Sequence, residues 1–370
     1  WYGKETFSIN EESYSIWSFG GGDFGSLGQN STTKISSPTQ IGSGTDWKYI
    51  GNSEGQTSNV GQKLSSAIKT DGTLWTWGND MYGTLAQNTQ GVNLSSPTQV
   101  PGTTWSKISN SGYGSQTGAV KTDGTLWTWG YNFYGQLGHN IGVAWPGPNA
   151  NLGTVSSPTQ VGTDTTWQNI HAGNQGFMAT KTDGTMWGWG QNTSGNLGQN
   201  NITKYSSPTQ VGTGTDWSAV EAGQFNTVAL KTDGSLWTWG TGQDGGGGQN
   251  STTTYSSPMQ VGTDTTDATQ TDIDTTWTSI SAGYYSVLAT KTNGTLWTWG
   301  SNTYGKLGLN DGNQVSGRRS SPTQVGTGTD WNKANSMRYS GVGFKNDGTG
   351  WTWGRGVYGM LGLNNQTNIS

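Results

Sequence analysis

A Trp-x-Trp-Gly tetrapeptide recurs along this chain at intervals of 50 to 60 residues, and no other feature constrains the fold as tightly. It stands at Trp75–Gly78, Trp127–Gly130, Trp187–Gly190, Trp237–Gly240, Trp297–Gly300 and Trp351–Gly354, with a degenerate copy at Trp17-Ser18-Phe19-Gly20. Self-similarity at such a period means one supersecondary unit repeated, each unit too small to bury its own apolar face without a neighbour.

The unit is clearest over Asp216–Gly262. Residues Asp216–Gly223 alternate apolar and polar side chains and read as a first strand, A, and Thr227–Lys231 as a compact apolar strand, B. The pair Asp233-Gly234 is a hairpin signal and leads into strand C, Leu236–Gly240. After a Gly-rich stretch comes strand D, Ser257–Val261, which Pro258 restricts to a sheet edge. Four short antiparallel strands per unit and seven units predict an all-β fold, a seven-bladed β-propeller of four-stranded antiparallel blades. The blades fall near 1–42, 43–101, 102–162, 163–212, 213–262, 263–326 and 327–370 within one domain, 1–370. The first and last come out incomplete: nothing precedes residues 4–20 to supply strand A, and Asn368-Ile369-Ser370 stops where the last strand D should begin. Closure is expected to need about 20 further residues, from a longer polypeptide or from another chain.

The tryptophans test this reading. Side chains at i and i+2 of a strand share a face, so the paired indoles should project together and fill the space between blades. Of the 21 tryptophans, 13 lie in these pairs and six open the A strands (Trp47, Trp105, Trp167, Trp217, Trp277, Trp331), so packing claims all but Trp1 and Trp145. After strand C comes Gly-x-Leu-Gly-x-Asn, as at Gly135–Asn140 and Gly195–Asn200; Ala86 replaces one glycine in Gly83–Asn88. Here glycine supplies positive φ, Asn caps the turn and Leu pins the loop. A phosphate cradle does not fit, because neither a helix start nor Lys-Ser/Thr follows.

Only 11% of residues are charged and the net charge is −4, which leaves no electrostatic footprint for nucleic acid or an anionic bilayer. Thr, Ser, Asn, Gln and 62 glycines supply the polarity, a mixture suited to β-rich proteins outside cells. There is no cysteine, which excludes disulfides and thiolate metal sites. No apolar run approaches the ~18 residues that span a bilayer, so no membrane insertion is expected.

The run Ile280-Ser-Ala-Gly283, then Leu288-Ala-Thr-Lys-Thr-Asn-Gly294-Thr-Leu-Trp297-Thr-Trp299-Gly300, then Asn302-Thr-Tyr-Gly305-Lys-Leu307-Gly308 resembles the regulator-of-chromosome-condensation repeat family. The resemblance covers essentially the whole chain and implies a seven-bladed propeller. It leaves function open, since that family includes a nucleotide-exchange factor, a secreted enzyme inhibitor and many microbial or viral surface proteins. Ser-Ser-Pro-Thr-Gln recurs at 36–40, 95–99, 156–160, 206–210 and 320–324, a near-identity that points to recent duplication and to the microbial or phage surface branch.

Four insertions break the repeat: Asn52–Val60, Ile141–Gly153, Asp267–Asp274 and Asp311–Gly317. In a meandering blade the A–B and C–D loops share one face, so three of the four project opposite the Asp-Gly turns, and insertions gathered on one face mark a binding surface. The candidate binding residues are Asn52 and Glu54, then Trp145, Pro146 and Asn149, then the basic pair Arg318 and Arg319. Trp145 reads as a partner anchor or as a ring folded back on its blade, and the arginines as a solvated pair or a ligand clamp. Asp264, Asp267, Asp272 and Asp274 crowd one loop and are the candidates for a cation, although their spacing matches no defined calcium loop. His139 and His171 occupy repeat positions held elsewhere by other residues, and the Asp of each Lys-Thr-Asp-Gly turn reads as turn chemistry. No catalytic residue and no cofactor is expected. The expectation is a non-enzymatic extracellular structural or binding module of a microbial surface or a virion, with a protein or surface glycan as partner. The alternative is a secreted inhibitor or adaptor that meets a folded partner through the inserted-loop face. Other copies, or other parts of a larger chain, are candidates for completing the ring.

Overall fold

The computed structural model describes residues 14–51, 63–111, 115–141, 153–262, 274–311 and 317–370. Strands A to D of one repeat run Trp217–Ala222, Asn226–Lys231, Leu236–Gly240 and Tyr255–Gln260, and they are hydrogen-bonded in that order. The Asp-Gly pair makes the B–C hairpin: Gly234 has φ +81°, and the Asp233 carboxylate accepts from the Ser235 amide at 2.8 Å. The C–D register shifts between Thr238 and Gly240, so Pro258 sits in an irregular stretch of an edge strand where no ladder donor is lost.

The A strands of successive sheets touch one another, which puts strand A innermost and strand D at the rim. Between sheets lie the indoles. Trp77, Trp129, Trp189, Trp239 and Trp299, the second members of their pairs, are buried completely. Trp217 of strand A meets Trp237 at 6.0 Å and 77° and Trp239 at 6.2 Å and 62°, edge contacts that suit the ring quadrupoles. At about 25 cal/mol per Å², an indole of roughly 200 Å² contributes on the order of 5 kcal/mol before its entropy cost.

All but one of the second indoles, Trp189 being the exception, also bond to a neighbouring unit. Trp239 Nε1 donates to Asn196 O at 2.9 Å, and Trp77, Trp129, Trp299 and Trp353 donate likewise to Ser26, Thr84, Gly246 and Lys306. The second glycine of Gly-x-Leu-Gly makes room for this bond. Gly198 has φ +71°, and a Cβ there would lie 3.0 Å from Trp239 Nε1.

The seven-bladed reading is corrected by the sheets. Among the described residues the propeller has six blades, five of four strands and one, Trp331–Gly354 in outline, of three. Among the described residues the degenerate first repeat forms a two-stranded ribbon, Trp17–Gly20 paired with Ile35–Gln40. The reason is physical: two outer strands are too narrow to make a packed sheet of their own, and Phe19 brings no N–H where five of the other six repeats have a bonded indole. The ribbon nonetheless bridges the gap between the first and last blades. Tyr14 and Trp47 exchange backbone bonds of 2.8 and 3.2 Å, and Asn364 N donates to Ser36 O at 3.0 Å.

Candidate binding face

Because each blade is an antiparallel meander, the B–C turns and D–A links emerge on one face and the A–B and C–D loops on the other. The turn face is repetitive and polar. Asp71, Asp123, Asp183 and Asp347 each accept from the amide and hydroxyl of the Thr two residues on, and those bonds hold their carboxyls below the usual range. Lys69, Lys121, Lys181, Lys231, Lys291 and Lys345, at the ends of the B strands, each lie over two indoles, Lys181 Nζ being 4.0 Å from the Trp187 centroid and 4.7 Å from that of Trp167. Five of the six also pair with an aspartate: Asp46, Asp164, Asp216, Asp274 or Asp330. Burial works to raise Asp164, but Lys181 at 2.5 Å and the Thr166 hydroxyl and amide overrule it and hold the carboxyl at about 2.

The loop face is different in kind. Phe24, Met81, Val92, Ile141, Ile202 and Tyr358, all in C–D connections, are large apolar or aromatic side chains left exposed, Met81 at 53% and Ile202 at 67%. In the described B–C turns and D–A links one large hydrophobic side chain is exposed, Tyr14 at the turn before Trp17–Gly20. Two aromatic clusters lie on this side. Tyr82 and Tyr131 are 4.8 Å apart, Tyr131 stacks on Phe133 at 5.6 Å and 1°, and Phe133 meets Tyr134 at 5.5 Å. Burial, then the neighbouring phenols of Tyr134 and Tyr82, push Tyr131 up to about 12. In the second cluster Tyr284, Tyr304 and Tyr339 are joined by cations. Arg338 lies 4.7 Å over Tyr339, Arg355 lies 4.9 Å over Tyr304, and the buried Lys306 donates to the Tyr284 carbonyl and, at 3.2 Å, to that of Arg338. These aromatics are not at the repeat's tryptophan positions, so the periodicity that exposes the fold hides them; the signal available was aromatics in the A–B and C–D connections.

The sequence-derived candidates fare unevenly. Asn52, Glu54, Trp145, Pro146 and Asn149 lie outside the described residues, as do Asp264, Asp267 and Asp272. Asp274 is described, and it is the lysine partner of its blade: it pairs with Lys291 at 2.5 Å and accepts from Thr276. Among the described residues no three His, Asp or Glu side chains gather closely enough to hold a metal ion. Arg318 is exposed, whereas Arg319 opens the D strand Arg319–Gln324 and is tied to Asp311 at 2.6 Å. The two arginines thus differ, Arg318 standing in solvent and Arg319 paired. His139 Nε2 is 3.0 Å from Thr128 Oγ1, and burial lowers its pKa. His171, on strand A, is 3.4 Å from Glu221 of the next strand A. The buried Asp80, which sequence reasoning did not single out, accepts from Leu85 N and Thr89 Oγ1; Asn132, Asn192 and Asn302 pin the same loop leucine in other blades. Asp80 is therefore a loop pin, and burial raises its pKa.

Comparison with known proteins meets this geometry. The profile described as the regulator of chromosome condensation (RCC1) repeat matches residues 123–180, 183–230, 233–290 and 293–334, and a second profile of that description matches 217–245 and 277–306. The human E3 ubiquitin-protein ligase HERC2 is 30% identical over 186 residues, which are 50% of this chain and 4% of that protein. The Ultraviolet-B receptor UVR8 of Arabidopsis thaliana is 24% identical over 243 residues, 53% of each chain. The chain therefore spans about half the length of one of these relatives and a small fraction of the other. Among solved structures, yeast RCC1 (Prp20) bound to Kap60 superposes with a TM-score of 0.76 at 17% identity, over 98% of this chain and 84% of that one. Human WBSCR16 does so with a TM-score of 0.77 at 16% identity, over 96% and 92%. Identities this low speak for the fold alone. The profile matches cover more than half of the sequence, and on that ground the chain belongs to the regulator of chromosome condensation (RCC1) repeat family.

Proposed function

We propose that this propeller is a non-enzymatic binding module that holds a protein partner against its loop face. The observation that carries the reading is the asymmetry of the disc: the large apolar side chains left exposed between strands concentrate in the C–D loops, while the turn face is built of repeated Asp-Gly turns and paired lysines. Exposed apolar side chains among aromatic ones are what a hot-spot interface requires. The family supports a partner-binding role by analogy: one solved relative, Prp20p of Saccharomyces cerevisiae, is described with its binding properties to Gsp1p and histones. The location we favour is outside the cell or on a virion, supported by a composition with 11% charged residues and 62 glycines. A surface glycan is the second partner class, favoured by the stacked tyrosines.

The test compares the two faces. Met81→Lys, Ile202→Lys and Tyr358→Lys together should abolish capture of the native partner, whereas Asp71→Lys, Asp183→Lys and Asp347→Lys should leave it intact. Loss with the turn-face set and retention with the loop-face set would overturn the assignment. Glycan turnover by the wild-type chain, lost on deleting residues 141–153, would overturn the non-enzymatic reading.

A further inference from the structure

We propose that the loop-face junction between the blade opening at Trp277 and the blade opening at Trp331 is a seat for an acidic peptide segment, whose carboxylates meet Arg338 and Arg355. The inference rests on the protein-partner reading and names the chemistry of that partner. Its basis is a departure from the repeat. Lys306 precedes the loop Leu-Gly, Arg338 lies two residues before a B strand, and Arg355 follows a Trp-x-Trp-Gly. In the blade at 217–260 those three positions hold Gly246, Gln224 and Thr241, and in the blade before it Asn196, Asn174 and Gln191. Among the described residues no other blade has a cation at any of the three. The repeat's own packing therefore does not require these charges.

The three cations converge on tyrosines from both blades. Arg338 lies over Tyr339 at 4.7 Å and over Tyr284 at 5.2 Å, and Arg355 over Tyr304 at 4.9 Å and over Tyr339 at 5.3 Å. Tyr339 thus holds two guanidinium groups close together. Lys306 is buried behind them and donates to the carbonyls of Tyr284 and Arg338, which ties the two A–B loops to each other. Arg355 N donates to Tyr339 O at 2.9 Å and fixes the backbone from which its side chain departs. The aromatic faces favour each cation singly but leave their mutual repulsion, and a carboxylate relieves it. Contact with a ring face does not use the N–H groups of a guanidinium, whose planar fork matches a carboxylate. The same contacts argue against a sugar, because a face of Tyr284, Tyr304 and Tyr339 on which a pyranose would stack is taken by a cation. The net charge of −4 repels an anion at long range, so attraction at this junction is local.

The probe is a fluorescein-labelled decapeptide of alternating Glu and Ala, titrated into the full chain at low ionic strength and followed by anisotropy. Saturable binding is expected, at least tenfold weaker for the same peptide with Gln in place of Glu, and weakened by added salt. Arg355→Gln, at a half-buried position, should weaken binding several-fold, and Arg355→Lys should restore only part of it because the fork is lost. Arg338→Gln should act likewise; if that buried variant does not fold, Arg355→Gln alone decides. Lys204→Gln, beside Tyr134 at the other aromatic cluster, should leave binding unchanged. No saturable binding, equal binding of the Gln peptide, or full affinity in Arg355→Gln would overturn the proposal. Tighter binding of a sulfated oligosaccharide, lost in the same arginine variants, would overturn it in favour of a glycan. Any of these failures leaves the loop-face assignment standing, since that is read from partner capture by the Met81, Ile202 and Tyr358 variant.

Discussion

The five complete blades and the closure carry the same sequence motif and put it to different use. In the blade at 217–260 the two C-strand indoles are covered by strand A on one side and by the neighbouring loop on the other, so Trp239 is buried to 1% exposure and its N–H is bonded to Asn196 O. In the last blade the second indole, Trp353, keeps its place and its bond to Lys306 O, but the first, Trp351, lies half in solvent, with no fourth strand over it among the described residues. In the ribbon the second indole is replaced by Phe19, and Gly362 of the last loop faces a ring with no donor. The motif is thus a packing element only where a fourth strand and a neighbouring sheet complete its surroundings. Alone it is an exposed aromatic.

The contrast is broken most directly by truncating the indoles. Trp239→Ala should cost about 3–5 kcal/mol, because a fully buried ring and an inter-sheet bond disappear together. Trp351→Ala should cost below about 1 kcal/mol, since an exposed ring resting on Trp331 and Lys345 loses little. Equal losses for the two in chemical denaturation would sink the comparison.

Loop glycines sharpen it further. Gly198→Ala places a left-handed alanine, at about 1–2 kcal/mol, and pushes its methyl onto Trp239 Nε1, whereas Gly362→Ala meets the Phe19 ring at 3.1 Å with the same backbone term but has no indole bond to lose. The larger melting shift should belong to Gly198→Ala. Ala86 already holds φ +59° beside Trp129, so Ala86→Gly should recover up to about 1 kcal/mol.

Asp80→Asn comes next. Burial raises the Asp80 carboxyl, so its charged form is disfavoured in the folded chain at neutral pH, and the asparagines at the matching positions keep the same bond to the loop leucine. The variant should be more stable at pH 7 by up to about 1 kcal/mol, a gain that shrinks as the pH falls and the aspartate takes up its proton.

The smallest effect is on the turn face. Asp164 is held at about 2 against an ordinary 3.8, so its contribution is complete above pH 4 and is lost as the pH falls towards 2. The aspartates of the Asp-Gly turns, also lowered, act in the same direction. These carboxylates should leave the melting temperature unchanged from pH 7 to 5 and lower it below pH 4, while the buried His139, whose pKa is lowered, withdraws stability as the pH falls through the ordinary imidazole range. Asp164→Asn should lower stability by about 0.2–1 kcal/mol at neutral pH and flatten that acid limb slightly, since the Lys181 pair is partly exposed.

Much of the blade was legible from one repeat. Leu236–Gly240 was read with its observed bounds, and the Asp233-Gly234 hairpin and edge-strand Pro258 stand where their backbone chemistry puts them. The blade count was not legible, because counting tetrapeptides credits Trp17-Ser18-Phe19-Gly20 with a whole blade, while a blade is a property of paired strands. The loop-face aromatics were also missed. Tyr82 and Tyr304 share one repeat position, but their partners Tyr131 and Tyr339 stand at different positions of the following repeats, and each pair meets only when neighbouring sheets pack.

The amino-acid sequence by itself determined the blade: alternation fixes which side chains share a face, Asp-Gly fixes the hairpin, and proline fixes the edge, all through interactions a few residues apart. Tertiary structure alone decided how many sheets are complete, which indoles are covered, and which loop residues of distant repeats stand together. Those outcomes depend on contacts between units, and a local pattern repeated almost unchanged along the chain carries no record of where one copy lacks a neighbour.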